Sequence, residues 1–460
     1  MKKFTRILIC LMLCVFGFGL VACGDPRTEQ EKNFTYPSNS DAVYGNGGLA
    51  VKKGNYVYFV NGYKSVDEVS NKNETFTVGA LMLMKLGENG EVVTDDEGLT
   101  KDEYFITMHN KLCGYQATNL FIHGDYLYFV SPCLENESGD KVWAKERVVF
   151  NRIKLNKSSK VEEVYSSGVQ YDQLQYEYYQ ENGDLFILVW EKGDSYYSNN
   201  GNNALIRVNA TAKSSSKVAN DVQSVAFSEN SNEIFFVKHS SSDETYDLKK
   251  YDIVSNTVEN YTSLSKTFEV KAVANGKVFI SQGHNVGSST DVKISDIENH
   301  TDFELLYAYS GSMNLSFAED GTVVAVNGNV ITLVKSLTDV EVVIDAKATS
   351  INVIGFVNGC VYYYDEVSNI KYVSYSNVLA GNNPEIKTLT TMDAVSSDCA
   401  YFDLDEDESM MYFYKKVGEN NYLHRIKTNN NLGETEEMFG VYVGNDAPVV
   451  EEEVEEEIEE

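Results

Sequence analysis

Residue types that many enzymes depend on are scarce in this chain. Its 460 residues include six His, at 109, 123, 239, 284, 300 and 424, and no two have the His-x-x-x-His or Glu-x-x-His spacing of a metal-ligand set. Only five Arg follow Arg6, which leaves little for a carboxylate-binding cluster. A Gly-x-Ser-x-Gly turn for a catalytic serine is also missing. The sequence therefore predicts no catalytic residues, and we do not expect an enzyme.

Positive charge is in deficit as well. Lys and Arg number 38 against 69 Asp and Glu, which gives a formal net charge of -31. Because phosphate contacts dominate nucleic-acid affinity, we expect a body this acidic to bind no nucleic acid. The same charge repels anionic lipid headgroups, so a membrane contact is expected to come from an attached anchor.

Long helical patterns are missing too. No stretch of the body keeps an i, i+3, i+4, i+7 apolar pattern over three turns, so helix should be scarce. The five Pro lie outside the apolar runs, as expected of strands, because Pro cannot donate to a ladder. Sheet-forming Tyr (31) and Phe (22) are abundant beside two Trp. The composition therefore predicts an all-β protein.

A hairpin phrase repeats along the chain. It reads KGNYVYFV at 53–60, IHGDYLYFV at 122–130, NGDLFILV at 182–189, NGKVFI at 275–280 and NGCVYYY at 358–364. The Gly-containing pairs, including His123-Gly124, favour the dihedrals of two-residue hairpin loops. With its variants the phrase begins near residues 54, 124, 183, 232, 276, 321, 359 and 409. Most intervals are close to the length of a four-stranded propeller blade, about 40–50 residues. Eight phrases predict a β-propeller of eight four-stranded antiparallel blades, or of seven if a long early interval hides an irregular unit.

Three units use a longer turn that a Phe enters. They read FSENSNEIFFV at 227–237, FAEDGTVVAV at 317–326 and FDLDEDESMMYFY at 402–414. These turns resemble the Phe-Ser-Pro-Asp-Gly hairpin of TolB-type and WD-type propellers, without its Pro. With the Tyr-rich hairpins and strands such as YLHRIK (422–427), the chain resembles the tyrosine-rich propeller repeats of bacterial lipoproteins over residues 46–443. Members of that group mostly lack an assigned activity, so the resemblance implies a fold and no reaction.

The N-terminus carries a targeting signal. Lys2, Lys3 and Arg6 precede an uncharged stretch of about 15 residues, the build of a secretory signal rather than of a spanning helix. The stretch ends in Leu20-Val21-Ala22-Cys23, which resembles the bacterial lipoprotein box. The resemblance implies that residues 1–22 are a signal peptide and that Cys23 is lipidated. The alternative is an ordinary signal peptide with an incidental cysteine.

The rest of the chain divides into three parts. Residues 23–45 are polar and contain Pro, Gly, Ser and Asn, which predicts a flexible stalk. Residues 46–443 hold the propeller. Residues 444–460 contain nine acids and no base, which predicts a disordered acidic tail. We expect the propeller to lie outside the cytoplasmic membrane, at its outer face, held by two or three acyl chains.

Two further sites are predicted, a disulfide and a calcium site. If His123-Gly124 is a two-residue turn, Cys133 faces Gly114, one residue from Cys113, and the two thiols can form a disulfide in an exported protein. The alternating Asp403, Asp405 and Asp407 resemble the start of a Ca²⁺ loop, although Glu408 stands where such a loop has Gly. The alternative is a charged hairpin tip with no cofactor.

Two functions follow from these observations. The first is a surface-tethered binding or interaction module for a protein or glycan. Tyr- and Asn-rich loops at 171–183 and 194–203 are expected to supply its contacts, unless their Tyr are merely strand residues. The second is an extracellular hydrolase or lyase that acts on glycan or peptide. It requires carboxylates from several blades to meet at the channel with raised pKa values.

Overall fold

The computed structural model describes most of the chain between residues 35 and 439. The described ranges are 35–67, 75–93, 103–105, 112–113, 119–131, 133–135, 141–143, 148–155, 161–167, 169, 174–192, 203–228, 232–240, 245–283, 289–299, 302–310, 313–334, 342–345, 348–365, 369–391, 402–405, 409–417, 420–428 and 436–439.

Eight antiparallel sheets follow one another along the chain and form the blades of a β-propeller. Blade 1 contains β1 (Val43–Tyr44), β2 (Ala50–Lys53), β3 (Tyr56–Asp67), β4 (Thr75–Lys85), β5 (Glu103–Phe105) and β6 (Leu112–Cys113). Blade 2 contains β7 (Phe121–His123), β8 (Tyr126–Ser131), β11 (Val149–Lys154) and β12 (Glu162–Ser166), with the added pair β9 (Cys133–Glu135) and β10 (Lys141–Trp143). Blade 3 contains β13 (Leu174–Glu181), β14 (Asp184–Glu191), β15 (Ala204–Asn209) and β16 (Ser214–Asn220), and blade 4 contains β17 (Val222–Ala226), β18 (Glu233–Ser240), β19 (Thr245–Asp252) and β20 (Thr257–Leu264).

Blade 5 contains β21 (Phe268–Ala274), β22 (Lys277–Gly283), β23 (Ser289–Asp296) and β24 (Glu304–Ser310), and blade 6 contains β25 (Asn314–Phe317), β26 (Val323–Asn327), β27 (Val330–Val334) and β28 (Val342–Asp345). Blade 7 contains β29 (Ile351–Val357), β30 (Cys360–Asp365), β31 (Ile370–Ser374), the short helix α1 (Tyr375–Leu379) and β32 (Lys387–Thr390). Blade 8 contains β33 (Phe402–Asp405), β34 (Met410–Val417), β35 (Asn420–Lys427) and β36 (Glu437–Phe439). The all-β class and the eight-blade count are confirmed. The long first interval of the repeat reflects the lengthened hairpin of β3 and β4 rather than an irregular merged unit.

The core consists of one apolar layer between each pair of neighbouring blades. Along the second strand of a blade, alternate side chains pack on opposite neighbours, as the two-residue period of a strand requires. In β14, Leu185, Ile187 and Val189 contact blade 2, whereas Phe186 and Leu188 contact blade 4. Each such fully buried side chain contributes roughly 1.5–3 kcal/mol. A blade therefore cannot be removed without exposing two layers.

The ring closes where blade 8 meets blade 1. Phe59 in β3 packs edge-to-face on Phe439 in β36, with ring centroids 5.3 Å apart, and Tyr412 joins the same buried cluster. Within the described residues, every sheet is built from strands close in sequence, and no strand from one end of the chain completes the sheet at the other. Side-chain contacts and a few hydrogen bonds therefore close the ring.

The hairpin turns between first and second strands largely follow the prediction. Asn182, Asn275 and Asn358 have φ of 52°, 49° and 51°, and the Gly after each also has positive φ, as a type I′ turn requires. The predicted turn at His123-Gly124 is wrong: His123 pairs with Tyr126, so the turn is Gly124-Asp125. Gly124, with φ of 58°, supplies the left-handed residue from the first turn position.

The two faces of the ring differ. The turn face carries the connections from first to second strands and from third to fourth strands, because antiparallel strands alternate direction. Its turns bond to each other: His123 Nε2 lies 3.1 Å from Gly183 O, Asn275 Nδ2 donates to Asp320 O, and Asn358 Nδ2 donates to Ser409 Oγ. The opposite face, called the loop face here, carries the connections from second to third strands and between blades.

Candidate functional site: the loop face

Lengthened hairpins extend the loop face at blades 1 and 2. The second and third strands of blade 1 have 12 and 11 residues, and their ladder continues past a bulge through Lys64↔Val78 to Asp67↔Thr75. Blade 2 adds β9 and β10 beyond β8 and β11. The two-residue strand β6 joins the edge of β4 at Val78 and Gly79. These strands project from one side of the ring and form an elevated edge on the loop face.

The predicted cysteines lie in this edge. Cys113 stands opposite Val78 in the β4–β6 pair, and Cys133 stands opposite Trp143 in the β9–β10 pair. The corrected turn shifts the hairpin register by two residues, so Cys133 does not face Gly114 as the prediction required. The side chains of both cysteines lie outside the described part of the structure, and their disulfide stays a prediction. The thiol of Cys360 is free, and burial raises its pKa.

The predicted calcium residues are only partly described. Asp403 and Asp405 lie in β33, where they pair with Tyr412 and Met410 of β34. Asp407 and the lipidation residue Cys23 lie outside the described residues. Among the described residues, no group of three His, Cys, Asp or Glu is placed to hold a metal ion.

Much of the tyrosine content serves packing between blades. The stretch 171–183, expected to be a loop, contains strand β13, and Tyr178 and Tyr179 are buried in it. In second strands, the hydroxyls of Tyr58 and Tyr362 donate to the carbonyl that follows the third strand of the next blade, at 3.2 and 2.7 Å. Burial raises the pKa of both phenols. These Tyr are therefore not available to a ligand.

A buried polar cluster joins blades 7 and 8. Glu436 accepts hydrogen bonds from Lys415 Nζ at 2.9 Å and Thr390 Oγ1 at 2.7 Å. His424 Nδ1 lies 2.7 Å from Glu436 Oε1, although neither ring nitrogen has a well-aligned hydrogen-bond partner among the described residues. Burial alone would raise the pKa of Glu436, but these contacts outweigh it and lower the pKa to about 2. The sequence does not indicate this cluster, because its members lie on three strands and one connection that meet only when blades 7 and 8 pack together.

Several of the described carboxylates act as ion-pair partners. Each carboxyl group with a resolved pKa shift has a lowered pKa, namely Glu162, Asp247, Asp296, Asp365 and Glu436. A general acid of a hydrolase needs a raised pKa. Within the described part of the chain, the chemistry that a carboxylate site would require is therefore not observed.

Comparisons with known proteins concern the fold. No family model and no curated protein matches the sequence. The chain is similar to the β-propeller domain of the Trilobed protease from Pyrococcus furiosus, with 13% identity, a TM-score of 0.44, and coverage of 71% of this chain and 95% of that one. For dipeptidyl peptidase 4 from Porphyromonas gingivalis, the identity is 10%, the TM-score is 0.45, and the coverage is 86% of this chain and 59% of that one. For TolB from Acinetobacter baumannii, the identity is 11%, the TM-score is 0.30, and the coverage is 82% of this chain and 78% of that one. At such low sequence identities, the activity of these proteins cannot be assigned to this chain.

In the portion of the chain that the structure describes, no helix has the length and apolar character to cross a bilayer.

Proposed function

We propose that this chain is a non-catalytic binding module, a β-propeller that a lipid on Cys23 tethers to the outer face of the cytoplasmic membrane. Its ligand is a protein or a glycan, and it binds at the elevated edge of the loop face. The difference between the two faces carries this proposal. Tight turns that bond to one another occupy the turn face, whereas the loop face bears the lengthened hairpins.

The alternative function, a hydrolase or lyase with a carboxylate site at the channel, receives no specific support. Its defining feature is a raised carboxyl pKa, and the resolved shifts among the described carboxylates are all downward. The propeller fold itself does not discriminate between a binding module and an enzyme, because one fold hosts many functions.

Lipid attachment is tested by feeding labelled palmitate to a bacterial expression host. We expect label in the full chain and none in Cys23→Ala, which should also leave the membrane fraction. Cys360→Ala is the matched control and should keep the label, since that thiol is half-buried within blade 7. Equal labelling of wild type and Cys23→Ala would exclude the anchor.

Ligand binding is tested with the lipid-free chain from residue 23 on peptidoglycan, glycan and envelope-protein arrays. A shortened variant replaces residues 62–79 with an Asn-Gly turn, so that Asn61 and Ala80, which already pair, become the last rung of the hairpin. The control variant, Ser255→Ala, alters an exposed turn on the opposite face. We expect the shortened variant to lose binding and the control to keep it. Binding that survives the shortening would place the site elsewhere.

A further inference from the structure

The N-terminal segment runs along the inner side of blades 1 and 2. Val43 and Tyr44 form β1 on the free inner edge of β2, opposite Lys53 and Lys52. Asn46 then bonds through both side-chain atoms to the backbone of Ile122 in β7. These residues fall within or next to the predicted stalk, residues 23–45. The segment therefore is bound to the propeller from residue 35 onward.

The segment reaches this edge from the turn face. Gly54, in the first hairpin turn, donates its N–H to Ala42 O at 3.0 Å. The buried Lys53 ammonium donates to the carbonyls of Asn39 and Asp41. The Thr35 hydroxyl lies 2.7 Å from the Tyr56 hydroxyl at the turn-face end of β3, the second strand of blade 1. Toward the N-terminus, the chain thus moves outward from the channel over the turn face.

The link between residue 35 and Cys23 is short. The twelve residue steps from Cys23 to Thr35 span at most about 40–43 Å when fully extended. From Tyr56 on the second strand, a path around the rim would first cross to the fourth strand, about 10 Å, and then descend a blade edge as tall as the eight-residue β20, about 26 Å. That path requires the link to be almost fully extended, whereas the turn face lies next to residue 35. A lipid on Cys23 therefore favours contact of the turn face with a membrane.

We propose that the propeller is oriented on the membrane, with its turn face toward the bilayer and its loop face directed outward. This inference rests on the proposed anchor at Cys23 and specifies how the ligand approaches.

The orientation is tested by energy transfer from a single fluorophore to acceptor lipids. Ser255 and Ser265 lie at opposite ends of β20 in blade 4, both exposed, Ser255 on the turn face and Ser265 on the loop face. Each is replaced separately by an azide-bearing residue that is then coupled to the fluorophore. The chain from residue 23 is joined to vesicle lipids chemically at its N-terminus, so that the result does not depend on enzymatic lipidation. The internal cysteines stay intact.

We expect severalfold greater transfer from position 255 than from position 265, because the two sites differ in height by about 26 Å. Doubling the stalk with a Gly/Ser insert should reduce the difference strongly, since the path around the rim then no longer requires an extended link. Lys53→Met releases residues 39–41 from the Lys53 ammonium and should also reduce the difference in transfer between the two positions. Equal transfer from the two sites with the natural stalk, or greater transfer from position 265, would overturn the orientation. Failure of palmitate labelling would instead refute the natural anchor.

Discussion

The closing interface between blades 8 and 1 depends on one arginine. Arg425 is 2% exposed, and its Nε donates to Glu437 Oε2 at 2.7 Å. Its guanidinium also donates to Gly90 O of blade 1 and lies 5.2 Å from the ring centre of Phe439. Glu437 in turn accepts from Val92 N of blade 1 at 2.9 Å. Replacement by Met, which keeps much of the volume, removes this network from an interface with no chain connection across it.

The size of the effect follows from burial. Removing one partner of a buried hydrogen-bonded ion pair costs about 3–5 kcal/mol. The Glu437 side chain is 25% exposed and can regain water, so we expect the lower end, about 3 kcal/mol. Since every 1.4 kcal/mol is tenfold, the open form of the interface should become about a hundredfold more populated.

Native-state amide exchange measures this opening strand by strand. We expect Arg425→Met to accelerate exchange about a hundredfold in β2, β3, β35 and β36, with little change in blades 3 to 6. Arg152→Met is the matched control, because Arg152 donates to Glu162 and to two carbonyls of blade 3 in the same way. The chain itself links blades 2 and 3, so this control should leave the closing interface unaffected. Acceleration that is absent, or equal in all blades after Arg425→Met, would refute the reasoning.

Three further predictions concern single residues. Tyr362→Phe removes a hydrogen bond to Thr428 O and should cost about 1 kcal/mol in the free energy of unfolding, whereas Tyr363→Phe should be neutral because that buried hydroxyl has no partner among the described residues. An equal loss in both would contradict the assignment. Glu436 has its pKa lowered to about 2 from 4.5, so its contribution is present above about pH 4.5 and lost toward pH 2. In pH-dependent melting, Glu436→Gln should be less stable at neutral pH and should approach wild type as the pH falls; a gap independent of pH would contradict this. Asn358→Val places a β-branched residue at φ 51° and should cost about 1–2 kcal/mol in denaturant unfolding, whereas Asn358→Gly should fold normally.

The architecture was predictable because the turns repeat. Turn phrases, most of them containing Gly, recur along the chain and predict both the hairpins and their number, and alternating apolar residues predict which faces are buried. The register of one hairpin was not predictable. HGD offers two candidate turns, His123-Gly124 and Gly124-Asp125, and Gly can take the left-handed conformation from either position. A shift of this kind changes the partner of Cys133 without altering the hydrophobic pattern.

The polar cluster and the N-terminal segment were beyond sequence reasoning for a different reason. Glu436, His424 and Thr390 meet only because two blades pack side by side, and no spacing records that contact. Residues 35–45 look like linker because polar side chains dominate them. Their binding to the propeller comes from backbone groups and from the buried Lys53, which composition does not reveal.

Most of the arginines that follow Arg6 contribute to the packing of the blades. Three of the five Arg after Arg6, at 152, 207 and 425, lie in third strands. There each guanidinium group contacts an aromatic ring or a backbone carbonyl. Arg207 lies 4.0 Å from the ring centre of Phe186, and Arg152 lies 4.3 Å from that of Tyr126. The planar guanidinium suits this role, because it stacks on a ring while its edge donates to several acceptors. These three guanidinium groups are therefore used in packing within and between blades.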